Sequence, residues 1–127
     1  MDREAVVSKN APKAIGPYAQ AVRVGNLIYT SGQIPIHPQT NQTVEGGIEE
    51  QTRRVLENLK SLLEDAGTSM KAMVKTTIFL ANMDDFAKVN EIYASYFDRE
   101  PPARSCIQVA GLPKGALIEV EGIAVIK

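Results

Sequence analysis

Histidine and cysteine occur once each among the 127 residues, as His37 and Cys106. A single cysteine cannot form an internal disulfide and fits a reducing compartment. One histidine and one cysteine are too few donors for a transition-metal site, so no metal is expected. His37 lies before Pro38 in a polar stretch, which leaves a Ser–His–Asp or Cys–His constellation without a convincing base. There is no glycine-rich phosphate fingerprint. Charge of one sign is not concentrated anywhere. The 14 Lys and Arg are scattered from Arg3 to Lys127 against 15 Asp and Glu, for a net charge of −1. That argues against a dedicated nucleic-acid or anionic-membrane surface. No apolar run approaches transmembrane length, and Asp2, Arg3 and Glu4 stand where a signal peptide would be apolar, so the expected location is cytoplasmic. With no internal repeat and no long linker, residues 1–127 are expected to form one domain.

What is present is an alternation of strand and helix signals. Glu4–Ser8 has a short β-like apolar core, and Pro12, Gly16 and Pro17 punctuate the irregular stretch after it. Ala19–Val24 and Leu27–Ser31 read as strands joined by the turn dipeptide Gly25-Asn26. Residues 33–47 form a long loop of the kind that covers something or carries function. Ile48–Ala66 is the clearest helix: Ile48, Val55, Leu56, Leu59, Leu62, Leu63 and Ala66 make one stripe. Glu49 and Glu50 suit its N-terminal end and can pair with Arg53 and Arg54, while Gly67 suits its end. Met73–Ala81 is a buried strand, and Asp84 or Asp85 can cap a second helix reaching Phe97. A strand at Ala103–Val109, a turn at residues 112–115 and a last strand Ala116–Ile126 complete the chain. The order β–β–β–α–β–α–β–β predicts an α+β fold, two helices covering one sheet face. The bare face would then invite self-association.

The candidates for chemistry sit mostly on strands. In Pro101-Pro102-Ala103-Arg104-Ser105-Cys106, a period of two puts Arg104, Cys106 and Gln108 on one face and Ala103, Ser105, Ile107 and Val109 on the other. The apolar set is expected to face the core, and Arg104 the bare face. A guanidinium on a rigid strand can grip a carboxylate or phosphate through two parallel hydrogen bonds; the plainer alternative is a loose surface ion pair. In the last strand Glu119 and Glu121 share a face with Leu117, Ile123 and Val125. They supply acid–base chemistry, or they satisfy Arg104 and backbone donors. Asn90 lies beside the apolar stripe of the second helix and needs a hydrogen-bond partner, a loop backbone or a ligand. Thr30-Ser31-Gly32 ends a strand with two hydroxyls and a glycine that permits close approach. Tyr18 is an aromatic with a polar handle in a constrained loop, suited to a ligand or to an interface. Lys75 and Cys106 lack the surroundings of a nucleophile.

Seven segments taken in order resemble the Rid family, the reactive intermediate deaminases of the RidA type, also called the endoribonuclease L-PSP family. They are Asn10-Ala11-Pro12 with Ala14-Ile15-Gly16-Pro17-Tyr18; Thr30-Ser31-Gly32-Gln33-Ile34-Pro35; Val74-Lys75-Thr76-Thr77; Phe86 with Val89-Asn90; Pro102-Ala103-Arg104-Ser105-Cys106; Leu112-Pro113-Lys114; and Ile118-Glu119-Val120-Glu121. The resemblance implies a chorismate-mutase-like fold with about six strands, trimerising through the helix-free face, with ligand clefts between subunits. It implies cofactor-free hydrolysis of 2-enamine and 2-imine acids, such as 2-aminoacrylate and 2-iminobutanoate, to 2-keto acids and ammonia. Such imines leave pyridoxal-phosphate dehydratases, which makes those enzymes functional partners in metabolite damage control. By the same resemblance Tyr18, Ser31, Gly32, Asn90, Arg104 and Cys106 bind substrate; Arg104 grips its carboxylate and Glu119 positions water. Gly111 departs from the pattern, since many bacterial relatives carry Arg there, and this bears on the rim of the cleft. Two other activities stand beside this one: an endoribonuclease or translation inhibitor, disfavoured by the missing basic patch and histidine base, and a non-catalytic 2-keto-acid-binding regulator.

Overall fold

The computed structural model describes residues 2–126. Six strands form one sheet: β1 (Arg3–Val6), β2 (Ala21–Val24), β3 (Leu27–Thr30), β4 (Met73–Leu80), β5 (Ala103–Gln108) and β6 (Ile118–Val125). Their spatial order is β1-β2-β3-β6-β4-β5. The β4–β5 pair is parallel and all others are antiparallel. Parallel neighbours need a crossover, and α2 (Phe86–Ala94) supplies it. The helix α1 (Ile48–Asp65) connects β3 to β4 and packs on β6 and on α2. This is the expected α+β arrangement.

The heptad-like stripe of α1 explains its seat. Val55, Leu56, Leu59, Leu62 and Leu63 are all fully buried against Ile28, Ile78, Ile118 and Val120 of the sheet's helix side. Each such side chain contributes about 1.5–3 kcal/mol relative to exposure. Gly67, at φ 92°, ends the helix in the left-handed region that glycine adopts without a Cβ clash. The first turn differs from expectation. Glu50 turns back to accept from the Gly47 amide at 2.9 Å, and Glu49 reaches Lys88 of α2 at 3.0 Å. Orphan amides at a helix start draw a carboxylate more strongly than an exposed arginine does, and Arg54 instead donates to Asn58 at 3.1 Å. At α2 neither Asp84 nor Asp85 supplies a side-chain cap. Asn82 accepts from the Asp84 amide at 2.9 Å at the head of a single 3-10 turn that leads into the helix, which ends at Ala94 rather than at Phe97.

Strict alternation along β6 buries Ile118, Val120, Gly122 and Ala124 under the helices and leaves Glu119, Glu121, Ile123 and Val125 on the helix-free face, whereas Leu117, just before the strand, packs against the core instead of joining that face. That face also carries Tyr29, Lys75, Phe79, Ser105 and Ile107, by register with β6. Tyr29 and Ile107 are 44% and 46% exposed. It is the partly apolar, uncovered surface the strand pattern anticipates.

The expected orientation of β5 is reversed. Arg104 and Cys106 lie on the helix side, Cys106 packed against the core, while Ile107 points to the uncovered face. The cause is long-range. β5 is the edge strand beyond β4, and α2 supplies the aromatic rings over Arg104, so its helix side is a half-open shelf where an arginine can lay its stem on them. Nor is β6 a neighbour of β5, because β4 lies between them.

Candidate functional site

Arg104 is held from three sides. Its guanidinium carbon sits 5.4 Å from the centre of the Phe86 ring and 5.1 Å from that of Tyr93. One terminal nitrogen donates to Asn90 Oδ1 at 2.6 Å. Asn90 therefore partners a side chain, not a loop backbone. Tyr93 is itself fixed by a 2.7 Å hydroxyl contact with Thr76 Oγ1 in the core. Burial raises the Tyr93 pKa despite the Thr76 hydrogen bond and the Arg104 charge, so the ring stays neutral and its face remains a cation platform. Arg104 forms no ion pair among the described residues. Its remaining donors open toward a groove of about 460 Å³ lined by Asn90, Tyr93, Phe97 and Pro102. Burial also pushes the Cys106 thiol up, with Arg104 opposing, which agrees with a non-nucleophilic cysteine.

Glu119 occupies a different place, a cleft of about 690 Å³ whose walls include Tyr18, Ser31, Gly32, Lys114 and Glu121. Its carboxylate lies so close to Gly32 that a Cβ there would collide with Glu119 Oε2. The glycine is what lets strand end and carboxylate touch. Burial, and secondarily the Glu121 charge, raise the Glu119 pKa above the ordinary glutamate value. No cation pairs with either glutamate among the described residues, so they do not serve to neutralise Arg104. Ser31 spends its hydroxyl on the Ala19 carbonyl at 2.6 Å and its amide on the Gln20 carbonyl at 2.9 Å. It fixes the wall and leaves no hydroxyl proton for a ligand. Tyr18 is 51% exposed at the mouth.

The residues singled out in the sequence thus form two clusters. Tyr18, Ser31, Gly32 and Glu119 share one cleft; Asn90, Arg104 and Cys106 share the α2–β5 shelf. Within one chain the clusters do not meet. Arg104 is level with Thr76 and Gly122, Glu119 with Phe79, and the two side chains leave opposite faces of the sheet. Sequence reasoning missed the supports. Asn58 is fully buried in α1 and donates to the Ile34 and Ile36 carbonyls at 3.3 and 2.8 Å, pinning the long 33–47 loop that forms the cleft's far wall. Asp65 accepts from Ser8 Oγ at 2.5 Å and from Asn10 Nδ2 at 3.1 Å, mooring the loop that ends in Tyr18. Only a polar residue on or next to an apolar helical stripe could have hinted at them.

The Asp65 mooring has a readable pH signature. The Ser8 hydrogen bond, more than those from Asn10, lowers the Asp65 pKa below the ordinary aspartate value. A carboxyl whose folded pKa is depressed contributes stability that is complete above its unfolded pKa and is lost as pH falls through the folded one. Asp65→Asn is therefore expected to lower Tm by roughly 2–4 °C at neutral pH. The gap from the parent should close below pH ~4, and a gap that stays constant to pH 2 in thermal melts would show that the carboxylate charge is irrelevant.

The family model described as Endoribonuclease L-PSP matches residues 8–126. A RutC family protein of Pyrococcus abyssi is 52% identical over 98% of this chain and 98% of its own. The 2-iminobutanoate/2-iminopropanoate deaminase of Mus musculus is 48% identical over 97% of this chain and 91% of its own. Among solved structures, TdcF of E. coli with bound serine superposes with a TM-score of 0.93 at 42% identity, covering 98% of this chain and 99% of that one. The sheet order, the two helices on one face and a match that runs almost end to end lead to one conclusion: the chain belongs to the Rid family, the proteins of the Endoribonuclease L-PSP model.

Proposed function

We propose that this protein hydrolyses small 2-imino and 2-enamine acids to 2-keto acids and ammonia, in clefts shared between the subunits of a homotrimer. The observation that carries this reading is the division of the site. Among the described residues Arg104 and Glu119 form no ion pairs; they stand on opposite faces of one sheet, each in its own concavity, and a second copy laid on the helix-free face can bring the halves together. The name of the mouse relative and the amino acid bound to TdcF point to the same substrate class.

Arg104 takes the substrate carboxylate through its unused donors, oriented by Asn90, Phe86 and Tyr93. Glu119 of the adjacent protomer holds a water against C2 of the imine. Water adds across the C=N bond, its oxygen to carbon and a proton to nitrogen, giving a carbinolamine. A second proton transfer to nitrogen breaks the C–N bond, leaving the C=O of the keto acid and free ammonia. Free imines already hydrolyse, so the site supplies alignment and proton handling rather than a cofactor's chemistry. Because Glu119 acts ionised and its pKa is raised, turnover is expected to fall on acidification at a pH above the ordinary glutamate range. The Glu119→Gln variant should lose both rate and that acid limb, as pH–rate profiles would report.

Mixing tests the shared site. Arg104→Ala and Glu119→Gln proteins should each be nearly inactive when keto-acid formation is followed in a coupled assay with a serine or threonine dehydratase. Refolded together in equal amounts, they should regain roughly a quarter of the clefts, those with both halves intact. A mixture that stays inactive would count against composite sites; imine hydrolysis unaffected by either variant would dispose of the deaminase reading itself.

A further inference from the structure

Gln20 has no role in the chemistry above, yet its side chain is the most heavily used polar group near the cleft. It is 6% exposed. Its Oε1 accepts from the Ser8 amide at 2.7 Å, and its Nε2 faces the carbonyls of Ser8, Ala11 and Pro12 at 3.1, 3.4 and 2.8 Å. Those carbonyls belong to an irregular stretch, residues 7–20, with neither helix nor strand to satisfy them. One carboxamide thus does for this loop what a neighbouring strand would do. Its backbone carbonyl meanwhile accepts from the Ser31 amide at 2.9 Å, at the start of the opposite wall.

We propose that Gln20 is a positioning residue that sets the gap between the Tyr18 loop and the Ser31–Gly32 strand end, and so the width of the cleft mouth. The proposal rests on the deaminase reading only for the identity of the ligand. Among the described residues Tyr18 hydrogen-bonds only within its own loop, through a turn from its amide to the Gly16 carbonyl at 2.9 Å and a 3.3 Å bond from the Ile15 amide to its hydroxyl. Two clasps at the root of the loop therefore govern where it stands: Gln20 on the inner side, and Asp65 through Ser8 and Asn10 on the outer. Gln20 is the one of the two that lines the cleft. Its chemistry is matched to the task. A glutamate would aim an acceptor at three carbonyl oxygens, and a methionine would keep the volume while removing every hydrogen bond.

The experiment is a double-mutant cycle of Gln20→Met and Tyr18→Ala, read by 2-oxobutanoate binding in calorimetry and by amide hydrogen exchange of residues 9–18. In the parent background Gln20→Met should weaken 2-oxobutanoate roughly tenfold and speed exchange in the loop, with KM for imine raised more than kcat is lowered. In the Tyr18→Ala background the same substitution should change binding less than about twofold. Equal losses in both backgrounds, or unchanged loop exchange, overturn the proposal and make Gln20 a merely structural residue. A parent protein that binds 2-oxobutanoate but turns over no imine refutes the deaminase reading while leaving the cycle fully readable. A parent that does not bind the keto acid at all overturns both.

Discussion

Arg104→Lys is expected to lower kcat/KM for 2-iminobutanoate by roughly 100-fold, and Arg104→Ala to leave only spontaneous hydrolysis. The guanidinium is planar, its plane is limited by the Phe86 and Tyr93 rings, and the Asn90 carbonyl holds one nitrogen. What remains presents two parallel N–H bonds to an incoming carboxylate. A lysine keeps the charge but not the fork, and its ammonium gives up part of its hydration to sit over two rings. Loss of charge-assisted hydrogen bonds, about 1.5–3 kcal/mol each, accounts for a factor of that size. Arg104 is only partly buried at the sheet edge, so Tm should move little. Steady-state kinetics beside a thermal melt separates the two effects, and near-parental turnover by the lysine variant would show that a point charge suffices.

Gly32→Ala should reduce turnover by roughly 10- to 100-fold with little loss of fold stability. The backbone at Gly32 is outside the left-handed region, so alanine fits its conformation. What it does not fit is the space. A Cβ collides with Glu119 Oε2 and comes within 2.7 Å of the carboxyl carbon and 2.9 Å of Cγ. A flexible side chain end can swing away cheaply, so the fold survives. The carboxylate then no longer stands where it would hold water. Contrast Gly122, where a Cβ would meet Met73 Cε and approach the Lys75 carbonyl oxygen at 3.0 Å in the core; backbone cannot swing away, so the cost there falls on stability. If Gly32→Ala retains full activity with an unchanged pH profile, the close approach of Glu119 to the strand end has no catalytic meaning.

Both predictions depend on faces, and faces are where reading from sequence was uneven. Along β6, period two groups Glu119 and Glu121 with Ile123 and Val125 but does not say which group is buried; it is the packing of α1 on β6 that covers Ile118 and Val120 and leaves Glu119 on the helix-free face. Along β5 the same rule pointed the wrong way. Ile107 looked like core and Arg104 like the bare face, yet Arg104 lies over Phe86 and Tyr93 and Ile107 is exposed. Hydrophobicity tells in from out only where one side of a strand is dry and the other wet. At an edge strand with half a helix above it and an uncovered sheet below, neither side is.

The motifs were legible because each is local: Gly16-Pro17-Tyr18 in a constrained loop, Ser31-Gly32 at a strand end, Arg104 behind two prolines. Their grouping was not. That Tyr18, Ser31, Gly32 and Glu119 gather in one cleft, and Asn90, Arg104 and Cys106 on a separate shelf, follows from a strand order in which β4 inserts between β5 and β6. The supports Gln20, Asn58 and Asp65 were invisible for a related reason. Their partners are backbone groups and side chains 8 to 57 positions away, and no periodicity encodes such a pairing.

Local chemistry along the chain therefore dictates which segments are strands and helices, where the turns fall and which residue types are available for binding an anion and moving a proton. Strand order, the face each side chain leaves from and the division of the site into two halves emerge only when distant segments pack. Those outcomes depend on which surfaces exclude water from one another, a property of the folded chain and not of any window within it.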